Sequence, residues 1–248
     1  MSGHSKWSTI KRQKGVADIK RGQTFTKLAS AITIAAKLSG DPNLNPRLRT
    51  ALEEARSVNM PKDNIQRAID RGLGKLPGQT IEEVVYEGFG PGKVAFLVEG
   101  ITDNKLRTNS EIRNLFERSG GIMGGQGSVI YMFDKKGEIR VKSKGGVAED
   151  EMLELIDLGA EDIEPFLDEN VQAYLVYVES LELNTMGTKI TQSGFEVESS
   201  EIIFKPNLTV EISDKELVEK VMNFTERLED HGDVQKVYVN MGISEELL

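Results

Sequence analysis

The apolar residues of this 248-residue chain change their spacing near residue 80. Before that point they recur every three or four positions, the period of a half-buried helix. Beyond it they gather into short runs that suit strands, separated by further helical stretches. Phe25, Leu28, Ile32, Ala35 and Ala36 form one helical stripe from Thr24, closed by Gly40 and Pro42. Asn45-Pro46 is a cap followed by proline at the first helical position, and Leu48, Leu52 and Ala55 follow it. Pro61 opens a third helix with Asp63 in its first turn, Ile65, Ala68 and Ile69 inward, and Gly72 as its stop. Three short amphipathic helices predict a small bundle. LGKLPGQT, residues 73–80, reads as a linker.

The second part predicts α+β structure. VAFLVEG from Val94 is a strand, and Thr108 to Glu111 matches a capping box ahead of a helix with Ile112, Leu115 and Phe116 inward. Gly120-Gly121 ends that helix, and Gly127 to Phe133 reads as a strand. DKKG, Asp134 to Gly137, reads as a turn before the strand EIRVKS. A helix over Glu151–Leu158 with Met152, Leu155 and Ile156 inward, a strand over Ala173–Glu179, a helix over Leu183–Ser193 and a strand over Glu198–Phe204 complete a β-α-β-α-β order. The strand end VEIS then leads to a second capping box, Ser213 to Glu216, a stripe of Leu217, Val221, Phe224 and Leu228, and a strand at Val234–Val239. A lone helix and strand cannot bury both faces, so this last pair is expected to complete the sheet begun at Val94. The expected fold is multi-domain α+β: a three-helix bundle at 1–78, an α+β sandwich at 79–134 and 205–248, and a second sandwich at 135–204 inserted into it.

Charge divides the chain at the same place. Up to Gly78 there are 15 basic and 6 acidic residues; the remainder carries a net charge of −18. The basic end would be drawn to a phosphate backbone and the acidic body repelled by it. The densest stretch, Gly3 to Leu28, sets Lys6, Lys11, Arg12, Lys14, Lys20, Arg21 and Lys27 against Asp18 alone. Its glycines allow close backbone approach to a ligand. Trp7 beside Lys6 is placed to stack on an unpaired base. The helices add Arg47, Arg49, Arg56, Lys62, Arg67 and Arg71; Arg67 and Arg71 share a face at i,i+4, and Arg49 and Arg56 at i,i+7, with Glu53 between them placed to pair with Arg49. The expected nucleic-acid contacts are Lys6, Trp7, Lys11, Arg12, Lys14, Lys20, Arg21, Lys27, Arg47, Arg49, Arg67 and Arg71.

Other chemistries find little support. The chain has no cysteine, and His4 and His231 stand without a ligand pattern, which leaves only carboxylate-held metals open. GFGPGK, residues 88–93, lacks the Ser or Thr and the following helix of a phosphate loop and reads as a turn. GGIMGGQGS, residues 120–128, joins a helix to a strand and reads first as a connector, with a flexible binding loop as the alternative. In TDNKLRT, residues 102–108, Lys105 and Arg107 could bind an anion, but the stretch reads first as a turn and helix start. No carboxylate pair stands out as an acid and base. No catalytic residue, metal, cofactor or small-molecule substrate is therefore expected. No apolar run approaches the roughly 18 residues of a membrane span, and the leader lacks an apolar signal core. The expectation is a cytoplasmic protein with no membrane partner.

GHSKW, DIKRGQTFTKL, NPRLRTALEEAR, NMPKDNIQRAI, YEGFGPGKVAFLVEGITDN, LRTNSEIRNLFERSGG, GGQGSVIYMF and DVQKVYVN together resemble the YebC/PmpR family along almost the whole chain. The resemblance implies three domains with the third inserted in the second. It implies a probable transcriptional regulator that binds DNA, related to a mitochondrial translational activator of cytochrome c oxidase subunit I. It also implies a link to the ribosome through relief of stalling. Two departures fall in the basic part: Ala29-Ser30-Ala31 where relatives often carry a charged pair, and Arg12-Gln13-Lys14 where a histidine often precedes the lysine. The functional expectation is a nucleic-acid-binding regulator of gene expression, on DNA or alternatively on ribosomal or transfer RNA. The acidic body is left to position it or to meet a protein partner. A glycine-broken basic arm suits irregular RNA, and no helix reads as a groove-docking recognition helix.

Overall fold

A computed structural model describes residues 20–76, 80–168 and 171–244. Those residues form seven α-helices and three sheets, and they fall into two compact units, one within 20–129 and 219–237, the other within 130–218 and 238–244.

In the first unit, helices α1 (Lys20–Ala36), α2 (Pro46–Ser57) and α3 (Lys62–Gly72) share one apolar core. Ile32, Ala35, Leu48, Leu52, Ala55 and Ala68 lie at its centre, at the positions the period predicts. Among the described residues α1 runs from Lys20, before the expected Thr24. Thr33 Oγ1 bonds the carbonyls of Ala29 (2.7 Å) and Ala68 (3.1 Å), which ties α1 to α3. Gly72 permits that approach: a Cβ there would meet the Thr33 carbonyl oxygen at 2.4 Å.

The same unit holds a four-stranded sheet in the order β3-β1-β2-β9, with β1 Glu82–Phe89, β2 Ala95–Thr102, β3 Ile122–Met123 and β9 Val234–Val239. β1 runs antiparallel to both β2 and β3. Helices α4 (Lys105–Arg118) and α7 (Lys215–Glu229) bring Phe116 and Phe224 onto Phe96 of β2, with ring centroids 4.7–6.1 Å apart. β1 was not among the expected strands. The expected capping box at Thr108 is also corrected: α4 starts a turn earlier, where Asn104 Oδ1 accepts from Arg107 N at 3.1 Å, and Thr108 is a buried interior residue. Asp214, one residue after the expected Ser213, caps α7 by accepting from Glu216 N at 2.9 Å.

The second unit is a split β-α-β-β-α-β arrangement. Strands β4 (Phe133–Lys142), β5 (Asp162–Asp168), β6 (Val171–Glu179) and β7 (Glu196–Pro206) form an antiparallel sheet in the order β5-β6-β4-β7. Helices α5 (Ala148–Asp157) and α6 (Leu183–Gln192) cover one face over Ile139, Val141, Tyr174, Val176 and Val178. Three expectations fail here. Gly127–Phe133 is not a strand but a turn and a 3-10 segment over Ile130–Met132. DKKG is not a turn; it lies inside β4, where Gly137 leaves room for Leu183 and Val178, which a Cβ would meet at 2.9 and 3.0 Å. Ile156 faces outward, about half exposed. A short parallel pair, β8 (Val210–Ile212) and β10 (Met241–Ile243), completes the unit.

Candidate nucleic-acid interface

The stripes that bury α2 and α3 turn their cations outward. Asn45 anchors the start of α2: it is buried, its Oδ1 accepts from Leu48 N at 3.1 Å, and its Nδ2 donates to the Ala35 and Ser39 carbonyls at 2.8 Å. With Leu48, Leu52 and Ala55 inward, Arg49 and Arg56 are exposed. On α3, Ala68 is buried and Lys62, Arg67 and Arg71 are exposed.

Tertiary partners then sort the expected contacts. Lys27 is half-buried and its Nζ donates to the Glu229 carbonyl at 2.5 Å. Arg47 forks onto both carboxylate oxygens of Glu83. Arg67 lies along its own helix, donating to the Asp63 carbonyl at 3.2 Å and to Asn64 Oδ1 at 2.5 Å. Arg49 and Arg71 make no side-chain hydrogen bond or ion pair among the described residues, and Arg49 does not pair with Glu53. Arg56 and Lys62, left out of the expected set, are equally exposed and unpaired. Their outward position opposite the apolar stripe was the signal that could have found them. Lys20 and Arg21 open α1, but their side chains, like Lys6, Trp7, Lys11, Arg12 and Lys14, lie outside the described residues.

The other anion candidates are used internally. Residues 88–93 form a tight turn, with Gly90 N donating to the Val94 carbonyl at 2.8 Å and β2 following. The glycine loop 120–128 is pinned by Glu87, a buried residue of β1 whose two carboxylate oxygens accept from Gly127 N and Val129 N at 2.7 Å each. Lys105 pairs with Glu82 at 2.7 Å. Arg107 pairs with Asp233 at 2.7 Å and Asp103 at 2.9 Å.

Glu111, His231 and Asp233 lie close enough to suggest a metal site. Their bonding points elsewhere. His231 Nδ1 accepts from Asp233 N at 3.2 Å, so its proton sits on Nε2 and is donated to Glu111 at 3.0 Å. Asp233 Oδ2 accepts from Thr108 (2.6 Å), Arg107 (2.7 Å) and Thr102 (3.2 Å). Burial opposes ionisation of Asp233, but these bonds and the Arg107 charge outweigh it and hold its pKa below the usual carboxylate value. The guanidinium already supplies the positive charge that a cation would bring. Glu151 of the second unit is used in the same way: it accepts from Lys144 N, Gly146 N and the Tyr174 hydroxyl at 2.7–3.0 Å. Glu87 and Glu151 thus staple loop backbone, and Asp233 ties side chains of β2 and α4 together.

One family model, described as the TACO1/YebC protein N-terminal domain, matches residues 5–75, and another, described as the TACO1/YebC second and third domain, matches residues 81–241. The chain belongs to the TACO1/YebC family. Similar chains include a protein of Persephonella marina, 45% identical with 100% of this chain and 98% of the relative covered, and one of Citrifermentans bemidjiense, 48% identical with 99% and 98% covered. Both carry the name "Probable transcriptional regulatory protein". The crystal structure of a conserved hypothetical protein from Aquifex aeolicus matches with a TM-score of 0.81 at 41% identity, covering 93% of this chain and 94% of that one. Among the described residues no helix is long and apolar enough to cross a membrane.

Proposed function

We propose that this TACO1/YebC-family chain is a cytoplasmic, non-enzymatic regulator of gene expression that acts by binding nucleic acid through its N-terminal segment. The observation that carries the reading is the set of uncommitted cations on α2 and α3: Arg49, Arg56, Lys62 and Arg71 are exposed and make no ion pair among the described residues, next in sequence to a leader whose bases far outnumber its acids. Such groups neutralise phosphate and give affinity with little base discrimination. The names of the relatives favour promoter DNA. Ribosomal or transfer RNA is the second reading, favoured by the glycine-broken leader, which suits irregular RNA better than a duplex groove.

We also infer three domains: 1–78, 79–134 with 205–248, and 135–204. The separate family models support the first boundary. For the inserted domain, both junctions fall between the same two rungs of the β4–β7 ladder, Asp134↔Lys205 and Lys135↔Phe204, where the chain would enter and leave one sheet.

In-cell ultraviolet crosslinking, with sequencing of the recovered nucleic acid, tests the function. Discrete promoter fragments are the expected result for a transcriptional regulator. Discrete ribosomal or transfer RNA positions would move the protein to translation. Recovery of neither would overturn nucleic-acid binding and leave a protein partner.

A further inference from the structure

The turn at 88–93 and the loop at 120–128 use most of their backbone groups internally, and what they leave over lies along the β3 edge of the first unit's sheet. Lys93 has φ 59°, in the left-handed region that costs a lysine more than a glycine or an asparagine. It is exposed and makes no hydrogen bond or ion pair among the described residues. Strain of this kind persists where a side chain has a task. Arg118, in the last turn of α4, is exposed and unpaired too, and the neighbouring Glu117 pairs with neither cation. The two segments touch at the backbone. A Cβ on Gly121 would meet the Cα of Gly90 at 2.9 Å, and each cation lies three residues from that contact. β3 then runs beside β1 as the edge strand, with Ile122 74% exposed. About 10 Å further along stands the loop tip. Gly124 N donates to the Glu87 carbonyl at 2.8 Å, and the buried Glu87 carboxylate holds Gly127 N and Val129 N, so the tip is fixed from within the sheet. Between these anchors Gly125 and Gln126 are exposed, and their N–H groups make no hydrogen bond among the described residues. Gly125 has no local need to be glycine: its φ is not left-handed, and a Cβ there would meet nothing within 4 Å. A buried carboxylate that holds an exposed, nearly bare tip in one shape preorganises it for a ligand.

We propose that this strip binds a single strand of nucleic acid, with phosphate on Lys93 and Arg118, a base or sugar against Ile122, and a further oxygen of the strand on the Gly125 and Gln126 amides. The proposal rests on the nucleic-acid binding proposed above and adds a second contact to it. The groups select the occupant. Cations without counter-charge at one end and donors without acceptors at the other both call for an oxygen-rich anion. An exposed apolar side chain between them suits the unstacked bases of a single strand, which a duplex hides. Glycine at position 125 lets the strand come against the protein backbone. A polypeptide strand added to the β3 edge would need neither the cations nor that glycine.

Fluorescence anisotropy of the full chain with a short single-stranded oligonucleotide, over a salt series and beside urea unfolding, tests the strip. A Lys93→Asn/Arg118→Gln variant should lower the slope of log affinity against log salt by about 1.4, two contacts at about 0.7 each. Its urea midpoint should not fall, because asparagine takes a left-handed φ at less cost than lysine. Gly125→Leu fills the space above the tip. It should weaken binding about tenfold, the size of one lost contact, at an unchanged salt slope and urea midpoint. Native affinity and slope in both variants overturn the strip and leave the N-terminal interface standing. A lowered midpoint in Gly125→Leu with affinity intact makes that glycine a structural one and overturns the tip contact. Binding that depends on the strip but not on Arg49, Arg56, Lys62 and Arg71 overturns the N-terminal interface alone. No binding by the native chain overturns the proposed function and the strip with it.

Discussion

Glu87 illustrates how much a single buried side chain can fix. Its two oxygens hold Gly127 N and Val129 N, and removing them orphans both donors at once. Glu87→Ala should therefore lower stability by about 2–4 kcal/mol, read as a shift in the urea midpoint with unchanged slope. Glu87→Gln should recover only part of this, because an amide offers one acceptor oxygen and turns its NH2 toward a donor. Asp233 makes a pH-dependent contribution. Folding holds its pKa down, so its stabilisation is complete above the unfolded value of about 3.9 and is lost as pH falls through the folded value. Asp233→Asn should thus flatten the acid limb of the stability curve and cost about 1–3 kcal/mol at neutral pH, measured by urea titrations between neutral and strongly acidic buffer. Tyr174 behaves oppositely. Burial and then the Glu151 carboxylate raise its pKa to about 12, so the neutral hydroxyl stabilises the fold below the unfolded value and that contribution fades as pH rises through the folded one.

Among elements, α4 separates two signals that look alike in sequence. Thr108 to Glu111 satisfies the capping pattern, yet Asn104 is the cap and Thr108 serves the Asp233 cluster from inside the helix. Asn104→Ala should cost about 1 kcal/mol in thermal or urea unfolding. Thr108→Val should cost more despite its similar shape, because it removes a donor from a partly buried carboxylate. Elements with one regular face were legible: the stripes of α2 and α3, Phe116 with Ile112, and Val221, Phe224 and Leu228 all point inward, and β9 spans the expected Val234–Val239. The missed strands lack that regularity. β1 alternates at neither end, being exposed at its start and buried across Tyr86–Gly88. β5 contains Pro165 and alternating acids, and is tolerated because it stands at the sheet edge. Gly137 imitated a turn because the reason for it, Leu183 packed above, lies 46 positions along the chain.

For the whole molecule, the charge divide near residue 80 points to the proposed interface, but it could not say which cations are free. That depends on distant partners: Lys27 is taken by a carbonyl 202 residues away and Arg47 by Glu83, 36 residues away. The distinction is measurable. An exposed cation that meets phosphate releases counterions and adds about 0.7–0.9 to the slope of log affinity against log salt; a cation already neutralised adds little. Replacing Arg49, Arg56, Lys62 and Arg71 together with Gln should reduce the slope for an oligonucleotide by about 3, with unfolding unchanged, since none of the four touches the core. Arg47→Gln should leave the slope nearly unchanged, because its charge is already spent on Glu83. Lys27→Met should act on stability before affinity, through the lost tie to the end of α7. Fluorescence anisotropy over a salt series separates the three. A slope that falls equally for Arg47→Gln and for each unpaired arginine replaced alone would mean that the Arg47–Glu83 fork opens on binding. A slope untouched by all four unpaired cations would place the phosphate contacts on the leader alone.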